Sequence, residues 1–286
     1  MPELPEVETV VRGLRAAVVG RRITDVRFGK TDFIADPAAL VRLLPGCRIA
    51  GVARRGKFVV LRLERMSPPN ARATLLIHLG MTGQIVVGGA AAPVSPHTHV
   101  FVALDDGREL RYTDVRRFGR ISLVSDAQLP ENVLRLGPDP LEITAGEFQK
   151  RIGGRRAMIK ALLLDQSVLA GLGNIYVDET LWRARVHPQR LAVRLRSQEL
   201  LRLHRTMRDV LREAVRLRGS SVSDYVDAEG QRGDYQQRHR VYQREGKRCF
   251  RCGAAIRRVV VAGRSSFFCP RCQRAPRRHR GRRGVG

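Results

Sequence analysis

Leu136-Gly137-Pro138-Asp139-Pro140 divides the chain into halves of different periodicity, and its reading decides the fold class. Proline fixes φ and lacks a backbone donor, so this stretch continues neither a helix nor a central strand. Upstream, short period-two runs such as Lys57-Phe58-Val59-Val60-Leu61-Arg62-Leu63 and Thr74-Leu75-Leu76-Ile77 predict strands. Phe101-Val102-Ala103-Leu104 and Glu109-Leu110-Arg111-Tyr112 flank Asp106-Gly107, a hairpin signal. A β-sandwich from Ile23 to about Val124 is expected. Before it, Pro5, Val7, Val10, Val11, Leu14 and Val18 follow helical spacing, with Glu6 and Glu8 favourable to the dipole and Gly20 as the stop.

Downstream of the boundary, helices are predicted over Ala157 to Gln166, Asn174 to Arg185, and Ser197 to Leu217, the last capped by Ser197 and stopped by Gly219. The chain reads as α+β in two domains. The expected divisions are an N-terminal domain over 1–135, a linker over 136–150, a helical domain over 151–240, a cysteine-bearing module over 241–273 and a basic disordered tail over 274–286.

Lysine and arginine number 53 against 27 acids, a formal charge of +26 over 286 residues. Such an excess calls for a polyanionic partner. The sequence has no apolar run of about 18 residues and no lipidation signal, so nucleic acid is expected rather than a membrane. Met1-Pro2-Glu3-Leu4-Pro5-Glu6-Val7-Glu8-Thr9-Val10-Val11 carries acids and prolines where a secretory signal carries basic and then apolar residues, and the protein is expected to stay inside the cell.

Four of the five cysteines form Cys249-x2-Cys252-x16-Cys269-x2-Cys272. Two CxxC knuckles held by a hairpin offer four thiolates in the arrangement tetrahedral zinc prefers, and four protein ligands leave no open position, so the metal is expected to be structural. Arg257–Val261 and Ser265–Phe268 read as two strands joined by a turn through Ala262-Gly263-Arg264, which would hold Arg264 at a rigid tip. Cys47 stands alone and reads as a small buried hydrophobe.

Removal of the initiator methionine would expose the secondary amine of Pro2. An α-amino group titrates near 8, against about 10.4 for lysine, so roughly a tenth is unprotonated at pH 7. Its attack on a sugar C1′ would give an iminium, the electron sink that permits elimination of neighbouring phosphates. Glu3 beside it is a candidate acid or base.

The opening Met1-Pro2-Glu3-Leu4-Pro5-Glu6-Val7-Glu8-Thr9 resembles that of the bacterial formamidopyrimidine-DNA glycosylases. Arg55-Gly56-Lys57-Phe58, His78-Leu79-Gly80-Met81-Thr82-Gly83, Tyr112-Thr113-Asp114-Val115-Arg116-Arg117-Phe118-Gly119, Gly171-Leu172-Gly173-Asn174-Ile175-Tyr176 and the terminal cysteines resemble that family's other motifs, in order, from residue 1 to about 273. The resemblance implies an N-terminal helix with a β-sandwich, then a helix–two-turn–helix domain with a zinc-finger hairpin, and duplex DNA lying between the two. It implies a bifunctional glycosylase and lyase of base excision repair that excises oxidised purines such as 8-oxoguanine and formamidopyrimidines. No catalytic cofactor is implied, and the protein is expected to be a monomer on the nucleoid in the cytoplasm.

By the same resemblance Pro2 forms the Schiff base and Glu3 assists base loss, Lys57 on its strand gives the proton for β-elimination, and Arg264 serves δ-elimination and phosphate binding. Each departing phosphate needs a cation or proton donor nearby. Met81, Arg116 and Phe118 match residues that fill the void left by an extruded base, although composition alone would place Met81 and Phe118 in a core. His78, His97, Arg155, Lys160 and Asn174 match positions that contact DNA, mainly its backbone. Asn174 also follows a glycine-rich turn at a helix start, where it would present amides to phosphate or act as a plain N-cap. Val115 departs from the proline usual there, which bears on that loop's rigidity. Two other readings stand beside this one: a related glycosylase for oxidised pyrimidines, and a zinc protein that only binds nucleic acid.

Overall fold

The computed structural model describes residues 2–65, 72–125, 130–222 and 225–275. The basic tail lies outside the described residues beyond Ala275, as do residues 223–224 of the loop that follows Gly219. The chain forms two compact units, one built from 1–141, 169–172 and 211–238, the other from 142–168, 173–210 and 239–286.

In the first unit, helix α1 (Leu4–Val18) precedes eight strands: β1 (Ile23–Phe28), β2 (Cys47–Arg55), β3 (Phe58–Arg65), β4 (Arg72–His78), β5 (Gly83–Gly89), β6 (Thr98–Leu104), β7 (Arg108–Asp114) and β8 (Arg120–Ser125). They form two four-stranded sheets, ordered β1-β6-β7-β5 and β2-β3-β4-β8. The alternation seen in sequence buries Val59, Leu61 and Leu63 of β3 and Ile85 of β5 in one core, while α1 contributes Val7, Val10, Val11, Leu14 and Val18, all fully buried. The expected sandwich is therefore present, with α1 packed into the same core as both sheets. Cys47 sits in this core and its thiol donates to the Leu43 carbonyl.

One local expectation changes in this unit. Lys57 is not on a strand: with Gly56, at φ +57°, it makes the two-residue turn between β2 and β3. A two-residue hairpin turn that matches strand twist needs positive φ, which Gly56 supplies at no steric cost, and the strand begins only at Phe58. His97 precedes β6 with a φ of +63°.

The second unit holds helices α4 (Ala145–Ile152), α5 (Ile159–Leu164) and α6 (Asn174–Ala184) and the start of α7 (Ser197–Arg216), after the short α2 (Pro37–Leu43) and α3 (Glu131–Leu134) of the first. Helix α5 is shorter than the run from Ala157 predicted, because Met158 pairs in extended form with Leu191 before the helix starts. Strands β9 (Arg257–Val261) and β10 (Arg264–Phe268) make the terminal hairpin. Arg264 is not in its turn but is the first strand residue, paired with Val261, and the turn is Ala262-Gly263, both at positive φ. Trp182, Val241, Ile256 and Phe267 bury one face of this module together with Cys249 and Cys269.

Candidate active site and metal centre

Glu3 caps α1 and is 3% exposed, and Pro2 before it is buried. The Glu6 carboxylate fixes this start: Oε2 accepts the Glu3 N–H at 2.8 Å and Oε1 the Ser220 N–H at 2.7 Å. The Tyr225 hydroxyl donates to the Glu6 carbonyl at 3.2 Å. Leu4 N–H donates to the Gly171 carbonyl at 2.9 Å. At Gly171, φ is +102°, and a Cβ there would lie 2.9 Å from Leu4 Cβ and 3.3 Å from the Gly56 carbonyl oxygen. One glycine thus lets the chain start and the Lys57 turn meet the same loop. His78 pairs with Phe58 across β3 and β4; burial first, then the charges of Lys57 and Arg120, push its imidazole down to about 4, so it is neutral. Pro2, Glu3, Lys57 and His78 therefore belong to one neighbourhood of the first unit.

A second group forms on the loops just beyond this same end of β4, which closes at His78. Met81 is 39% and Phe118 51% exposed, and the Arg116 guanidinium lies 4.4 Å from the Phe118 ring centroid. Neither apolar side chain is in the core that composition would assign it. His78 Nδ1 accepts the Gly80 N–H, and the His97 carbonyl accepts the Asp114 N–H, so both histidines adjoin the loops that carry this group.

In the second unit, Lys160 is fully buried, with Nζ 2.7 Å from Asp178 Oδ1 and 2.9 Å from the Ser265 carbonyl oxygen. Asn174 Nδ2 donates to the same carbonyl at 2.9 Å, and Asp178 Oδ2 accepts the Phe267 N–H at 2.9 Å. These side chains satisfy the outer edge of β10 as a neighbouring strand would, and Arg264, exposed at the hairpin tip, is the next residue. Gly173, not Asn174, is the N-cap of α6, so the plain-cap reading of Asn174 does not hold. Lys160 directs its ammonium inward at hairpin and helix. Arg155 is exposed beyond α4 and is no partner in these bonds.

The Sγ atoms of Cys249, Cys252, Cys269 and Cys272 lie within 4.8 Å of one another. Thiolates about 2.3 Å from a tetrahedral zinc stand about 3.8 Å apart. The observed 3.4 Å between Cys252 and Cys269 and 4.0 Å between Cys249 and Cys272 bracket that spacing. Trp182 Nε1 points at Cys249 Sγ at 3.5 Å, as a donor that orients a ligating thiolate does. The donor set fits one structural zinc.

Sequence reading missed four acids that organise these groups: Glu6, Asp114, Asp178 and Glu179, each almost fully buried. Glu179 accepts the N–H groups of Arg240, Val241 and Tyr242, each at 2.9 Å, and burial pushes its carboxyl up. Asp178 and Glu179 signal themselves as acids within the mostly apolar run Ile175 to Trp182, whereas Glu6 and Asp114 stand among other charged residues and carry no such mark. No helix among the described residues is long and apolar enough to cross a membrane.

Residues 1–121 match the formamidopyrimidine-DNA glycosylase N-terminal domain, 136–226 its H2TH domain, and 246–275 the zinc finger found in FPG and IleRS. The formamidopyrimidine-DNA glycosylase of Solibacter usitatus is 46% identical over 276 residues, covering 96% of this chain and all of that protein. Among solved structures, a variant FPG of Lactococcus lactis bound to DNA containing Fapy-dG superposes with a TM-score of 0.87 at 35% identity, over 96% of this chain and 100% of that one. The MutM (FPG) protein of Thermus thermophilus gives 0.83 at 43% identity, over 95% and 98%. With three family models in chain order and relatives matched along nearly their whole length, the chain belongs to the formamidopyrimidine-DNA glycosylase family.

Proposed function

We propose that this protein excises oxidised purines from duplex DNA and then nicks the strand, with Pro2 as nucleophile. The observation that carries the reading is the placement of Pro2 and Glu3 at a helix start anchored by Glu6 and by the Gly171 carbonyl, on the loop that also meets the Lys57 turn.

With methionine removed, the Pro2 nitrogen bonds to C1′ as the C1′–base bond breaks, and the departing base takes a proton. The C1′–O4′ bond then breaks and the ring oxygen takes a proton, which leaves the iminium; this acidifies the C2′ hydrogen, whose loss expels the 3′ phosphate, and a second elimination expels the 5′ phosphate. Glu3 serves ring opening and base loss, Lys57 the first elimination, and Arg264 the second. Met81, Arg116 and Phe118 fill the space the extruded base vacates: two are apolar, exposed and unsupported by a core, and the third is a cation held on one of them. His78, His97, Arg155 and Asn174 serve the DNA backbone; Lys160, being buried, serves it through Ser265. A net charge of +26 supports a nucleic-acid partner and work on the nucleoid.

Borohydride reduction tests this on duplexes carrying 8-oxoguanine or an oxidised pyrimidine, with wild type and Pro2→Gly. A covalent adduct with the purine lesion that maps to the N-terminal peptide and is absent from Pro2→Gly is expected. Absence of any adduct with wild type overturns the catalytic reading, and preferential trapping on the pyrimidine overturns the substrate.

A further inference from the structure

Asp114 ends β7 with no exposed surface, and its carboxylate has three donors. Oδ1 accepts the Thr82 hydroxyl at 2.5 Å; Oδ2 accepts the Gly119 N–H at 2.8 Å and the Tyr112 hydroxyl at 3.1 Å. Thr82 Oγ1 in turn accepts the Arg116 N–H at 3.1 Å. Thr82 follows Met81, and Arg116 and Gly119 bracket Phe118. One buried carboxylate therefore reaches both loops that carry the exposed apolar pair.

The glycines show how close those loops run. A Cβ on Gly80 would lie 2.4 Å from the Phe118 carbonyl carbon, and one on Gly119 1.8 Å from the Tyr112 hydroxyl oxygen. A Cβ on Gly83 would lie 2.5 Å from that same oxygen. The two backbones are in contact and Tyr112 fills the space beneath them. Val115 has no ring to restrict φ, and Arg117 stands at φ +53°, so local chain preference does not hold this loop in shape. Hydrogen bonds to a buried acceptor do, because any departure strands a desolvated carboxylate.

We propose that Asp114, through Thr82, is the positioning residue that locks the Met81 loop to the Arg116–Phe118 loop, so that both enter a duplex as one rigid wedge. The proposal rests on the void-filling role given above to Met81 and Phe118. A wedge whose halves slid apart would lose the push needed to unstack a base pair. Phe118 and Met81 are too exposed to be fixed by packing, and the backbone lock replaces that packing.

The test compares two rates on one preparation: excision of 8-oxoguanine from a duplex, which requires extrusion, and incision of a single-stranded abasic oligonucleotide, which does not. Thr82→Val keeps shape and removes the relay; it is expected to lower the ratio of the first rate to the second about tenfold, with Thr82→Ser restoring it to within about twofold. The double variant Met81→Ala/Thr82→Val is expected to fall no further than Met81→Ala alone. A Thr82→Val protein that loses both rates in equal proportion, or keeps the wild-type ratio while Met81→Ala lowers it, overturns the lock. If Met81→Ala leaves the ratio unchanged, the wedge reading falls and the lock with it. Wild type that acts on neither substrate refutes the proposed function itself.

Discussion

Glu6 Oε2 accepts the backbone N–H of Glu3 at 2.8 Å while Oε1 of the same carboxylate holds the Ser220 N–H. One side chain thus ties the first helical turn to a loop more than 200 residues away in sequence. Removing it orphans two buried donors, each costing about 1–3 kcal/mol. Glu6→Ala is expected to lower unfolding stability by about 2–5 kcal/mol in urea titration, and Glu6→Gln, which keeps one acceptor oxygen, by less. Equal stability of Glu6→Ala and wild type would show the tie to be idle.

Lys160 and Asp178 form a pair with 0% and 1% side-chain exposure, in which burial drives the carboxyl up against the pull of the ammonium. Breaking such a pair leaves one charge buried alone, so Lys160→Met is expected to destabilise by about 3–5 kcal/mol. Lys160→Met/Asp178→Leu is expected to recover most of that, less the Phe267 N–H bond, which Asp178 also accepts. A double variant worse than Lys160→Met would refute the desolvation argument.

Zinc removal is expected to open the terminal module, because metal binding supplies the folding free energy of so small a core. Chelation, or Cys252→Ser, should expose the Arg257–Phe268 hairpin to trypsin while the sandwich stays resistant. Mass spectrometry under native conditions should show one zinc lost. A chelated protein with an uncut hairpin would show that the apolar contacts of Trp182 and Phe267 suffice.

Acidification is expected to weaken the fold through His78, His187 and His239, each held near 4 chiefly by burial. An unfolded histidine titrates near 6.5, so between these values the unfolded chain binds more protons and stability rises with pH. The contribution is complete above about 6.5 and lost as pH falls toward 4; at pH 5 each of the well-buried His187 and His239 accounts for at most about 2 kcal/mol. Urea midpoints measured from pH 7 to pH 5 should fall accordingly, and a flat profile would mean these rings protonate in the folded state.

Period-two and helical apolar spacing was enough to read β3, β4, β6, β7 and α1, because burying one face of a pleat or a helix leaves its period in the chain. The cysteine spacing likewise announced the metal, since four soft ligands in two knuckles are a local arrangement. Lys57 and Arg264 were misplaced by one structural step each, and both errors come from hairpin turns: positive φ at Gly56 and at Ala262-Gly263 decides where a strand begins, and β-propensity does not report that.

What the sequence by itself determined is the main strands and helices, the metal ligands and the residues available for chemistry, all of which depend on neighbours a few positions apart; the short α2 and α3, and α4, which starts inside the expected linker, were not read from it. Only the tertiary structure decided which of them act together. Glu6 reaches Ser220, Asp114 reaches Thr82, and Lys160 reaches Ser265 across 214, 32 and 105 positions. Such contacts leave no period behind. They arise because a buried charge must find its hydrogen-bond partners wherever the closed core brings them, and that is fixed by how the whole chain packs.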